Sequence, residues 1–316
     1  MSSAATVPYP PAGGGTAIVF PGMAASSYAD IGRFMVLDRY VRPRVRAADL
    51  ALGESLLAGF RAEAQDFGPF AQVAFLVNSL ALADRAAAEL GMVPDVCVGP
   101  SFGQRAATVY TGALSFAEAV CLTVELARCE ADYFASLPED LVTQCFVRVP
   151  PEVVSSLLDS LSARGEWIEL SVELGDGGVM LSMPSRLLDE VAGRVRDAGG
   201  YVMQTMRPAV HARRFAPLRS QADAILDCYP VTDPSLPIVA DQDGRMIHTA
   251  ADLRAMLLDT FDHPVNWPAA VASVVAAGAS TAYVTGPDQL FHKLGVTKSA
   301  FHVVPVTPKV SFRPVH

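Results

Sequence analysis

Residues Gly99-Pro100-Ser101-Phe102-Gly103 fit the pattern G-x-S-x-G, with the apolar run Asp95-Val-Cys-Val before them and a helix-forming stretch after. A serine on a sharp strand-to-helix turn holds its hydroxyl exposed, and flanking glycines let backbone approach closely. The first N–H groups of the following helix are unpaired and can hold an oxyanion. The chemistry this suits is attack on an acyl carbon. A serine hydroxyl is a weak nucleophile until a base takes its proton. Six histidines are available: His211, His248, His263, His292, His302 and His316. His316 ends the sequence, and His248 follows a polar turn, Asp243-Gly244-Arg245. His302 lies in an apolar strand, where a hydrogen-bonded core histidine is the simpler reading. His211, in Arg207-Pro-Ala-Val-His211-Ala-Arg-Arg, and His263 are the candidate bases.

The elements that must position these residues follow from hydrophobic period and turn residues. Thr16–Phe20 reads as a short strand stopped by Pro21-Gly22. Residues 28–93 have helical character throughout, and Pro69–Leu90 is apolar nearly all round, as a buried helix is. A strand at 95–99 leads into Ser101, and a helical run continues to about Phe134. The pattern then changes. Strand Val142–Val149, helix Pro151–Arg164, strand Trp167–Leu174, strand Val179–Met183, helix Pro184–Ala198 and strand Tyr201–Met206 follow in order. That is β-α-β-β-α-β, the ferredoxin-like sequence of elements. Afterwards helix 215–226, strand 237–241, helices 250–260 and 268–277, and strands 281–285 and 301–306 resume an α/β pattern. His211 therefore stands where the chain re-enters the main body, at the mouth of any cleft between the two parts.

The 316 residues are 51% hydrophobic and 18% charged, enough for a real core. With 24 basic and 33 acidic residues the net charge is −9, which argues against a nucleic-acid partner. Five cysteines without C-x-x-C spacing read as buried thiols of a reducing cytosol, not disulfides or a zinc site. The lead MSSAATVPYPPAGGG has no signal-peptide character and reads as disordered. No apolar run is long enough for a membrane helix, so a cytoplasmic location is expected.

Several motifs occur in a telling order. They are Phe20-Pro-Gly22 after the first strand, G-x-S-x-G at 99–103, Thr111-Gly-Ala-Leu-Ser-Phe-Ala-Glu-Ala-Val120, His211, His263-Pro-Val-Asn-Trp267, and Gly286-Pro287. Over residues 16–306 the chain resembles the malonyl-CoA:acyl-carrier-protein transacylases and the acyltransferases of polyketide synthases. The resemblance implies an α/β-hydrolase-like large subdomain (16–139 and 207–316), a ferredoxin-like small subdomain (140–206) and an N-terminal lead (1–15). A general α/β-hydrolase esterase fits less well, because its serine follows several strands and its triad runs Ser, Asp, His.

The resemblance further implies that Ser101 is the nucleophile and His211 the general base. It places the oxyanion hole on the backbone N–H groups of Phe102 and Met23, and the carbonyl that orients the histidine on Thr260. No metal and no tightly bound cofactor are implied. Acyl carrier proteins would be the partners, and their phosphopantetheine arm, or CoA, would form part of the substrate. Arg207, Arg213, Arg214, Arg148 and Lys298 are candidate docking residues for an acidic carrier.

The departures from the family bear on the substrate. Pro100 stands where the family usually has His, and Met23 replaces a Gln. The segment ending in the base reads Pro208-Ala209-Val210-His211. The arginine that would grip a malonyl carboxylate is Leu126, counting without gaps from Ser101. Arg128 lies about 200° further round the helix and could serve only after a two-residue slip. Leu126, Val210, Pro100 and Met206 are thus expected to line a pocket for another acyl group. Discrete acyltransferases that move aminoacyl or dipeptidyl groups between carriers in macrolactam assembly are the nearest type; hydrolysis of stalled acyl carriers would use the same residues.

Overall fold

A computed structural model describes residues 14–311. The large sheet contains β1 (Gly15–Val19), β2 (Val96–Val98), β7 (Ile238–Val239), β8 (Met246–Ile247), β10 (Ala279–Thr285) and β11 (His302–Val306). Their order is β11-β10-β1-β2-β7-β8, parallel except for β8. Along the first strand Ala17 and Val19 pack into one apolar cluster while Ile18 and Phe20 pack into another. Both faces of the sheet are therefore covered, as parallel sheets require. Helices Pro69–Leu90, Gly103–Tyr110 and Ala250–Asp262 contribute to one cluster, and helix Trp267–Ala276 to the other.

The small subdomain is β3 (Leu141–Val147), helix Pro151–Ala163, β4 (Glu169–Gly175), β5 (Gly178–Pro184), helix Leu188–Asp197 and β6 (Tyr201–Met206). These are the six elements read from the sequence, in that order. Its sheet runs β6-β3-β5-β4-β9, where β9 (Val265–Asn266) comes from the large part and pairs in parallel with β4. One face of this sheet carries the subdomain's own core of Phe146, Leu157, Leu181 and Val191. The other face places Cys145, Val172 and Met180 in the cluster shared with the large sheet. The cleft between the parts is thus an apolar seam.

Several details differ from the sequence reading. The helical stretch 28–93 is four helices, Tyr28–Leu37, Val41–Leu52, Leu56–Ala62 and Pro69–Leu90. The run after Ser101 is two, Gly103–Tyr110 and Phe116–Ala135, separated at Gly112 (φ 73°) and restarted by a capping box of Ser115 and Glu118. Strands β8 and β9, two residues each, are too short to carry a period. Cys97 and Cys145 are buried, but Cys121 and Cys129 are only half-buried and Cys228 is exposed. Residues 1–13 of the expected lead lie outside the described residues, whereas Gly15 already belongs to β1. No helix among the described residues is long and apolar enough to cross a membrane.

The two glycines of the serine motif are required by close approach. A Cβ on Gly99 would lie 2.3 Å from the carbonyl oxygen of Gly103, and one on Gly103 would lie 2.0 Å from that of Phe20. Gly103→Ala should therefore force the helix off β1 and cost about 2–3 kcal/mol. Gly193, mid-helix with open space around it, provides the contrast: Gly193→Ala should stabilise by about 1 kcal/mol. Thermal or denaturant unfolding of the two variants checks both signs.

Candidate active site

Ser101 sits between β2 and helix Gly103–Tyr110 with φ 53°, in the left-handed region that a non-glycine residue avoids. Its Oγ lies 2.7 Å from His211 Nε2, although 110 residues separate them. His211 also has a positive φ, 55°, and is 5% exposed. Its Nδ1 is 2.5 Å from the carbonyl oxygen of Thr260. A carbonyl can only accept, so Nδ1 carries the proton and Nε2 is left as the acceptor for the serine hydroxyl. Thr260 has this carbonyl to offer for a local reason. It lies in the last turn of helix Ala250–Asp262, and the residue four further on is Pro264, which has no N–H. Burial pushes the imidazole down from 6.5 to about 4, only partly opposed by Thr260's carbonyl. His211 is a neutral base at every ordinary pH.

The backbone N–H groups of Met23 and Phe102 have no acceptor among the described residues, and both residues line the cavity that contains Ser101 and His211. They are free to receive a ligand oxygen.

Two supports escaped the sequence reading. Asp241, fully buried just past β7, accepts the N–H of Ser101 at 2.6 Å and the side-chain amide of Gln104 at 2.5 Å. Burial raises its carboxyl to about 6 despite these donors. The sequence places Asp241 at the end of strand 237–241 and gives no sign of these partners. The second support is a buried hydroxyl chain, Ser171–Ser182–Thr143, with oxygens 2.5 and 2.6 Å apart. Thr143 accepts the N–H of Val210, and Ser182 donates to its carbonyl, both at 3.0 Å. The small subdomain thereby fixes the residue next to the histidine. Strand alternation could have suggested inward-facing hydroxyls there, but not their target.

Two cavities meet at Ser101 and His211. One, ≈110 Å³, runs into the large subdomain between Leu122, Leu126, Phe215, Leu218, Leu257 and Phe261. The other, ≈250 Å³, follows the seam between the subdomains past Pro100, Cys145, Met180, Met203, Leu290 and Phe291. Met206 and Val210 line both. Leu126 lines the first cavity, whereas Arg128 on the same unbroken helix is exposed and does not line it. Of the other histidines, His263 is exposed and bonded to Asp262 at 2.8 Å, away from the serine. His292 pairs with Asp288, His248 is exposed, and His316 lies outside the described residues.

Two of the five basic residues expected to be free for docking are engaged locally. Arg207 pairs with Asp140. Arg214 pairs with Glu139 at 3.0 Å and lies 4.8 Å from the ring centre of Trp167. Arg148 lies over the Tyr201 ring, while Arg213 and Lys298 are exposed.

Residues 145–206 match the family model described as the VinK acyltransferase small domain. The chain is 23% identical over 226 residues to a malonyl CoA-acyl carrier protein transacylase of Bacillus subtilis, covering 71% of this chain and 70% of that protein. It is 25% identical over 288 residues to the transacylase of the same name from Salmonella typhimurium, covering 89% and 91%. A solved complex of a type II PKS acyl-carrier protein with its malonyl-transacylase contains a chain of the same fold. The TM-score is 0.82 at 19% identity, covering 93% of this chain and 96% of that one.

The pH behaviour follows from the two buried groups. His211 titrates lower in the folded chain than in the unfolded one, so stability is lost as pH falls from 6.5 to about 4. Asp241 titrates higher when folded, so its contribution has the opposite sign between 3.8 and about 6. Gln104 Oε1 has no partner among the described residues, so a flipped Gln104 amide can accept from an asparagine at 241. Asp241→Asn should therefore fold and act, whereas Asp241→Ala strands two buried donors and should cost about 2–3 kcal/mol. In the Asn variant Asp241 no longer titrates, and an acid limb of serine acylation set by the histidine should lie near pH 4, read by stopped-flow acylation rates. A limb at 6.5 would mean a solvated base.

Proposed function

We propose that this chain, which belongs with the malonyl-CoA:acyl-carrier-protein transacylases and polyketide-synthase acyltransferases, moves an acyl group onto or between carrier proteins through an acyl-Ser101 ester. The observation that carries the reading is the alignment Ser101 Oγ, His211 Nε2 and Nδ1, and Thr260 carbonyl, at the point where an acyl-sized cavity meets a second channel. The Ser101 proton passes to His211 Nε2 as Oγ bonds to the thioester carbon. The carbonyl oxygen takes up the negative charge against the N–H groups of Met23 and Phe102. When the C–S bond breaks, the leaving sulfur receives the proton from Nε2. An incoming thiol then gives its proton to the same nitrogen, attacks the ester carbon, and Ser101 recovers its hydrogen. The thiols would belong to phosphopantetheine arms or CoA, entering along the seam between the subdomains. Polyketide assembly is the setting this suits, with a cytoplasmic enzyme acting on discrete carriers. Arg213, Lys298 and Arg148 remain the basic residues available to an acidic carrier.

Leu126 supports an acyl group other than malonyl. A desolvated carboxylate against leucine has no partner, which costs several kcal/mol in a closed pocket. An apolar wall instead favours a longer acyl chain, such as an aminoacyl or dipeptidyl group, with about 25 cal/mol gained per Å² covered.

Intact-mass analysis after exposure to a panel of acyl thioesters tests this reading. Ser101→Ala should gain no acyl mass, and His211→Ala should acylate slower by a factor of about 10² or more. Leu126→Arg should move the malonyl-to-hexanoyl rate ratio toward malonyl by about tenfold. A wild type that malonylates efficiently would return the chain to the malonyl transferases.

A further inference from the structure

The acyl cavity is apolar except at one place away from the serine and histidine. Gln72, Arg105 and Glu130 line it together. Arg105 Nη1 donates to Gln72 Oε1 at 2.7 Å, and Nη2 lies 3.4 Å from Glu130 Oε1. The guanidinium stands 4.8 Å from the ring centre of Phe102. The two charged side chains retain only 11% and 23% exposure. These contacts occupy a minority of the guanidinium's donors.

Their positions relative to the reacting centre are set by two helices. Arg105 is four residues past Ser101, one turn along, at a rise of about 6 Å. Glu130 is four residues past Leu126 on helix Phe116–Ala135, so it shares Leu126's face one turn further. Glu130, Phe134 and Met206 also line a wider groove of ≈510 Å³. A chain extending past Leu126 therefore meets this polar cluster before it reaches the groove.

A buried ion pair is a poor source of stability, since hydrophobic replacements of similar volume often do as well. It does give a pocket a donor and an acceptor side by side. A carboxylate brought to Arg105 would also meet Glu130 and be repelled. An apolar chain would leave the pair's remaining hydrogen-bonding capacity unused. A neutral amide satisfies both, its carbonyl accepting from Arg105 and its N–H donating to Glu130.

We propose that Arg105, Glu130 and Gln72 are specificity-determining residues that select acyl chains carrying a neutral amide beyond the thioester and turn away those ending in a carboxylate. This deepens the acyltransferase reading and rests on it. The test uses N-acetylcysteamine thioesters, whose acyl groups are N-acetylaminoacyl with one to three methylenes before the nitrogen, hexanoyl, or malonyl. Acylation is followed by mass, and rates are read as ratios so that general loss of activity cancels.

In the wild type the best amide probe should outrun hexanoyl by about tenfold and malonyl by more. In the double variant Arg105→Met/Glu130→Leu, which removes both charges together, the amide-to-hexanoyl ratio should fall to about one. In Glu130→Gln, which relieves the repulsion but leaves Arg105, the malonyl-to-hexanoyl ratio should rise by about tenfold. The proposal is overturned if the wild type shows no amide preference or if the double variant keeps it. It is equally overturned if Arg105→Met alone abolishes a malonyl rate that was already high, because Arg105 would then be a carboxylate clamp. Failure of every thioester to acylate Ser101 would instead sink the acyltransferase reading itself.

Discussion

The hydrogen bond from His211 Nδ1 to the Thr260 carbonyl is the constraint on which the site depends. A serine base needs one nitrogen fixed as a donor so that the other stays an acceptor, and a carboxylate partner is the familiar means. Here a peptide oxygen serves. It is available because Pro264 cannot close the last turn of the helix. A neutral carbonyl favours protonation of the imidazole less than a carboxylate would, and burial then holds the ring near pKa 4. The base is thus always ready to receive a proton and holds one only while a tetrahedral species exists. In the proposed reaction this would make it a good acid for the departing sulfur.

The remaining architecture brings three distant segments to this bond. β2 ends in the serine turn beside β1 and β7, and Asp241, just past β7, takes the serine's N–H. The small subdomain then returns the chain at Val210, gripped by Thr143 and Ser182, one residue before the histidine. Both reacting residues are left-handed, a backbone cost of about 1–3 kcal/mol each. It is maintained by hydrogen bonds to the buried side chains of Asp241, Thr143 and Ser182.

How much of this is legible in the sequence depends on whether a feature repeats locally. The β-α-β-β-α-β order and the apolar helix Pro69–Leu90 have a period or a fixed spacing, and the elements appear where that reading puts them. The serine turn is legible because Gly99 and Gly103 are dictated by backbone approach. Asp241 and the hydroxyl chain are not legible, since each matters only through a partner on a distant strand. Arg105 illustrates the same limit. Its place four residues after Ser101 is plain in the sequence, but Glu130 and Gln72 become its neighbours only when three helices pack. The candidate docking residues show the same limit: the pairing of Arg207 with Asp140 and of Arg214 with Glu139 is visible only in the fold.

The same geometry bears on the competition between transfer and hydrolysis. An acyl-Ser101 ester would stand beside a neutral base that activates water or a thiol equally well, so the histidine cannot choose between them. The choice falls to the channel along the seam, whose walls include Val147, Val172, Met180, Met203, Leu290 and Phe291. Beyond the dyad, the polar side chains that water in this channel would meet are those of Gln204, Asp288 and Gln289. In the proposed reaction a pantetheine arm would cover the apolar walls and place its thiol at the open end of the dyad. Transfer would then be favoured by occupancy, because the acceptor that fills the channel would also displace the competitor. The position of Met206 and Val210 on both cavities couples the two ends, because a side-chain shift that admits a larger acyl group also alters the last contact made by the incoming arm.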